Sequence, residues 1–136
     1  MRRLLFAMLF LSVFCLAQTK IDYGYFSTHS DTLTDTTVVW ANSSGCFLSS
    51  IYMYNMSTDS AAFVHFYNSL DSATVGATEA TLWFGVPKGE GLFIQFPGMG
   101  VPFTTAIQYV GTRLYDSRTD PDSTVIINIT YYDMWR

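Results

Sequence analysis

The chain has 136 residues, 49% hydrophobic and 17% aromatic but only 13% charged, with a formal net charge of −4. That length holds one domain rather than two, and so many aromatics with so little charge exclude a disordered chain. Seven Lys and Arg, with no basic run beyond Arg2-Arg3, exclude a phosphate-reading surface, so neither nucleic acid nor anionic lipid is expected as a partner.

Taken in order, the chain opens with Arg2 and Arg3, then an apolar run from Leu4 to Ala17 broken only by Ser12. Small residues at Cys15 and Ala17 complete the pattern of a signal peptide over residues 1–17, cut after Ala17. The run is shorter than the roughly 20 residues of a spanning helix, and polar Gln18-Thr19-Lys20 follows it, so no transmembrane span is expected in the mature chain. Phe14 stands where a lipobox needs a small residue. The expected destination is the periplasm, the cell surface or the medium. Removing residues 1–17 leaves eleven acids against five bases (Lys20, Lys88, Arg113, Arg118, Arg136), a charge of −6. Cys15 leaves with that segment, so Cys46 has no partner in the mature chain. It is either a buried small residue or a link between subunits.

Residues 18–35 (QTKIDYGYFSTHSDTLTD) are polar with no sustained period, and read as an extended arm, partly ordered at best. Residues 36–136 change character. Runs dense in β-branched and aromatic residues at Thr36–Ala41, Cys46–Met56, Ala61–Tyr67, Ala80–Val86, Leu92–Phe96, Phe103–Val110 and Thr124–Tyr132 alternate with turn-forming clusters. Seven short strands with no room for crossover helices predict an all-β, antiparallel two-sheet sandwich, jelly-roll or immunoglobulin-like. Period-two alternation gives most strands an apolar face: Ala62, Val64, Phe66; then Leu82, Phe84, Val86; then Leu92, Ile94, Phe96; then Val125, Ile127, Ile129. The opposite faces carry Tyr52, Tyr54, Phe63, Tyr67, Trp83 and Phe93, more aromatic surface than a monomer leaves in water. These six residues are the candidate binding surface, for a second copy of the chain or a larger protein assembly, with a glycan as the alternative partner.

Catalytic chemistry finds no support. His29 and His65 are the two histidines, no Gly-x-Ser-x-Gly elbow occurs, and Ser43-Ser44-Gly45-Cys46 reads as a turn into a strand. Neither histidine combines with Cys46 at a metal-ligand spacing, and no cofactor is expected. Pro87-Lys88-Gly89-Glu90-Gly91 has glycines but no following helix, and reads as a hairpin turn rather than a phosphate loop. Asp116, Asp120 and Asp122 share one loop and form the weak calcium candidate, with Arg118 among them offsetting their charge. Asn42, Asn55 and Asn128 begin N-x-S/T triplets, at a frequency chance explains in so Ser/Thr-rich a chain.

From Cys46 onward, the segments Ser50–Asn55, Ala61–Asn68, Thr81–Pro87, Phe93–Pro97, Gly100–Thr105 and Val125–Tyr132 follow a familiar order. The chain here resembles small β-sandwich proteins of tailed-phage and prophage genomes, generally taken for virion structural or appendage proteins. The resemblance covers roughly 90 residues, and its motifs are strand patterns and turn prolines, which carry no catalytic residues. It implies a non-enzymatic structural protein and, as an alternative to export, a place in the virion.

Overall fold

The computed structural model describes residues 26–116 and 118–134. The residues read as a signal peptide lie outside them. Nine strands and no helix are present among the described residues: β1 (Phe26–Leu33), β2 (Val39–Asn42), β3 (Cys46–Asn55), β4 (Ala62–Tyr67), β5 (Leu82–Val86), β6 (Gly91–Gln95), β7 (Val101–Phe103), β8 (Ile107–Thr112) and β9 (Val125–Asp133). One antiparallel sheet has the order β1-β9-β3-β6, with β7 also paired to β3; the other has the order β2-β8-β4-β5. Pairing partners put β6 against Ser50–Tyr54 and β7 against Cys46–Leu48, so the two share one edge of β3 as a single interrupted strand. Counted that way, eight strands pass between the sheets in the order of a jelly roll. That order selects one of the two sandwich types the sequence left open.

Each of the seven expected runs contributes strand. The run Phe103–Val110 splits, because Thr104 and Thr105 bend the chain between β7 and β8. The second half of the segment read as an arm is a full strand: Phe26 to Leu33 pairs residue for residue with Tyr132 to Val125. The turn at Pro87–Glu90 is present, with the Glu90 amide donating to the Pro87 carbonyl at 3.3 Å and Gly89 at φ 66°. It arches from one sheet to the other, however, and does not close a hairpin, since β5 and β6 belong to different sheets.

The apolar faces meet as alternation predicted. Leu48, Ile51, Met53, Val64, Phe66, Val86, Phe103, Ile107, Tyr109, Val125, Ile127 and Ile129 form the core between the sheets, lined by Leu82, Phe84, Leu92 and Ile94. Burying such side chains is worth about 1.5–3 kcal/mol each. Asn55 closes one end from within: its amide donates to the Ser60 and Val86 carbonyls and its oxygen accepts from the Ser57 amide. No helix among the described residues is long and apolar enough to cross a membrane.

Cys46 is fully buried at the start of β3, which favours the first of its two readings over a link between subunits. Desolvation pushes its thiol up to about 11, so at pH 8 only about one molecule in a thousand carries a thiolate there. An aromatic disulfide reagent should therefore leave the native protein untouched over an hour at pH 8 and titrate the thiol promptly in denaturant. Stoichiometric labelling of the native protein would show that the β3–β7–β9 corner opens.

Candidate functional site

The six aromatics proposed as one surface divide between opposite sides of the sandwich. Tyr52, Tyr54 and Phe93 lie on the outer face of the β1-β9-β3-β6 sheet, where Tyr52 pairs with Phe93 and Tyr54 with Gly91. Phe63, Tyr67 and Trp83 lie on the outer face of the β2-β8-β4-β5 sheet, with Phe63 opposite Gly85 and His65 opposite Trp83. Alternation along a strand tells inside from outside, but not which sheet the strand joins.

Among the described residues the first outer face carries no charge. Phe26, Thr28, Ser30 and Thr32 of β1 face outward, beside Ile126, Asn128, Thr130 and Tyr132 of β9. Phe47, Ser50, Tyr52 and Tyr54 of β3 come next, then Phe93 and Gln95 of β6 and Pro102 of β7. Phe26, Tyr132 and Phe47 form a row of rings, with centroids 5.5 and 5.4 Å apart. Phe93 is 64% exposed and Tyr52 40%. The acids of the described chain stand at loops, rims and inward-facing positions; Asp31 and Asp133, the two within these strands, alternate to the inner side.

The second outer face is covered along part of its area by the chain between β4 and β5. Gln108, fully buried on β8, holds that segment down: its amide donates to the carbonyls of Ser69 and Asp71, and its oxygen accepts from the Ala73 amide at 3.0 Å. Ala73 and Val75 then pack against Tyr67 and Val110 in a second small core. Tyr67 is therefore 1% exposed and is no free contact residue.

What remains open on this side is a cleft of about 380 Å³, lined by His65, Tyr67, Trp83, Tyr115, Asp116 and the turn from Gly76 to Ala80. Trp83 and Tyr115 meet edge to face, with centroids 4.5 Å apart at 61°. Phe63 stands 6.4 Å from Trp83 and 6.2 Å from Tyr115. Gly76, at φ 77°, brings the turn so close to the Asp116 carbonyl that an added Cβ would lie 3.2 Å from it. Two loops distant in sequence are thus seated against each other. His65 Nε2 lies 3.1 Å from Thr112 Oγ1, and that hydroxyl donates to the Leu114 carbonyl at 2.8 Å. With its one proton committed there, the hydroxyl can only accept from His65, which fixes the ring as the Nε2–H tautomer. Burial lowers the His65 pKa, so the ring is neutral at pH 7.

The three aspartates of the calcium candidate go separate ways. Asp116 is at the cleft, Asp120 accepts from the Thr36 amide at 2.9 Å, and Asp122 pairs with Arg113 at 3.1 Å and accepts from Ser60 Oγ. Among the described residues no group of three or more His, Cys, Asp and Glu side chains could hold a metal. The sequence reading missed Tyr115, Gln108 and Thr112. A tyrosine next to an aspartate in a turn carries no local signal, and only the jelly-roll connection brings it to Trp83.

The chain matches no protein-family profile, and no curated protein is similar to it.

Proposed function

We propose that the protein is a non-enzymatic structural subunit that associates with further copies of itself through the outer face of the β1-β9-β3-β6 sheet. The observation that carries this reading is the absence of any Asp, Glu, Lys or Arg among the described outward residues of that sheet. Two copies of an acidic chain repel, and like charges brought together across an interface cost several kcal/mol. This face is where copies can meet without that cost, and its exposed rings supply the apolar area that association requires. Ser30, Asn128 and Gln95 add hydrogen-bonding groups without charge. Jelly rolls serve both capsids and lectins, and the strand-pattern resemblance to virion β-sandwich proteins agrees with the first use.

Light scattering on the chain from Gln18 onward should give a defined oligomer. Tyr52→Glu with Phe93→Glu should convert it to monomer while leaving the melting temperature within a few degrees. A carboxylate forced into such a contact weakens association at least tenfold by rough estimate. A wild-type monomer at high micromolar concentration, or an oligomer indifferent to the double substitution, would remove the proposal. Trp83 is the natural control, because it sits on the opposite side.

A further inference from the structure

We propose that the cleft between the 76–80 turn and the Tyr115–Asp116 turn binds an organic cation, of the quaternary-ammonium or methylated-amine class. The inference is independent of self-association, which uses the other sheet. Three features of the cleft point the same way. Its walls are aromatic: Trp83 is 48% exposed and Tyr115 50%, and a cation within about 6 Å of such ring faces is attracted by their quadrupoles. Its only charged lining residues are two carboxylates, Glu79 and Asp116, with no Lys or Arg, and no ion pair among the described residues engages either of them. His65, the one other titratable lining group besides the tyrosines, is neutral, because Thr112 accepts its Nε2 proton and burial opposes a second one. Both charged groups that line the cleft are thus acidic, which disfavours anions and favours cations.

Shape separates this ligand from a sugar. A pyranose stacks best on one flat, unobstructed ring. Trp83 and Tyr115 meet at 61° and form a corner, which a compact tetrahedral group fills from two sides. The volume of about 380 Å³ falls in the range of small-molecule sites. The site is also built in advance, since Gln108 anchors the segment carrying Glu79 and Gly76 permits the two turns to touch.

The test is calorimetric titration of the purified chain with choline and, separately, with 3,3-dimethylbutan-1-ol, which has the same shape without the charge. Choline should bind saturably, and the neutral alcohol should bind about tenfold more weakly or worse, the difference expected for a partly desolvated cation–π contact. Trp83→Leu should abolish the choline signal, whereas Trp83→Phe should keep part of it. Asp116→Asn should weaken binding several-fold. Because the comparison of the two ligands uses the unaltered protein, a variant that misfolds does not affect it. Equal binding of the two ligands would overturn the proposal, leaving an apolar pocket. So would an absence of saturable choline binding, or saturable binding of neutral saccharides alone.

Discussion

Gly100→Ala is expected to destabilise the sandwich by about 3–5 kcal/mol, the sum of a left-handed backbone strain and the loss of local strand pairing. Gly100 has φ 89°, and a Cβ built there would lie 2.3 Å from the Leu48 carbonyl oxygen, a backbone atom that cannot turn aside. The close approach has a structural cause. Strand β3 is irregular between Leu48 and Ser50, where β6 leaves its edge and β7 takes over. The Phe96 amide donates to the Ser49 carbonyl at 2.9 Å, and the Gly100 amide closes the turn onto the Pro97 carbonyl at 3.2 Å. A side chain at position 100 must push Val101–Phe103 off β3, and Phe103 is fully buried. Gly98→Ala is the control. Its φ is 63° but nothing lies within 4 Å of its would-be Cβ, so it should cost only about 1 kcal/mol. Urea unfolding of the two variants measures the difference. Equal midpoints would mean that the β6–β7 break is loosely held.

The second large effect is expected at Gln108. Gln108→Leu keeps the volume roughly but leaves the Ser69 and Asp71 carbonyls and the Ala73 amide without their partner. Each buried polar group so stranded costs about 1–3 kcal/mol, and escape of the segment to water caps the total at about 3–4 kcal/mol. The escape is itself measurable. Amides of residues 69–78 should exchange far faster in the variant while those of β3 and β9 keep their relative protection. Gln108→Glu, which retains the acceptor and loses both donors, should be at least as damaging. Unchanged exchange in both variants would show that the apolar contacts of Ala73 and Val75 alone hold the segment down.

These two positions show where sequence reasoning succeeds and where it stops. Period-two alternation identified the inward residues correctly on β4, β5, β6 and β9, because a strand between two sheets must put its apolar side chains on one side. Strand β1 escaped notice for a physical reason. Its inward positions are Ser27, His29, Asp31 and Leu33, and only the last is apolar, since the strand runs along the rim of the core. Pairing with β9 organises it instead. Gln108 reads as an ordinary outward polar residue until the 68–81 segment is laid over it. That segment packs through Ala73, Val75 and the half-buried Ala80, too few and too unevenly spaced to form a pattern. The grouping of the six aromatics failed because sheet membership is decided by the long connections. Even the Pro87–Glu90 turn, whose composition is legible, hides the change of sheet that it makes.

The place of β9 has a consequence for how the protein comes into being. Of the nine described strands, the last in chain order is an interior one, inserted between β1 and β3. Until Val125–Asp133 emerges from the ribosome, β1 has no neighbour, and the whole length of β3 presents an open edge beside uncovered Leu48, Ile51 and Met53. Such edges invite mispairing with other nascent chains. Closure must bring Phe26 of β1 to Tyr132 of β9, and pairings of that reach form slowly. A chain that stopped short of Val125 would therefore lack the keystone of the sheet, and the incomplete product would depend on chaperones or proteases for its disposal.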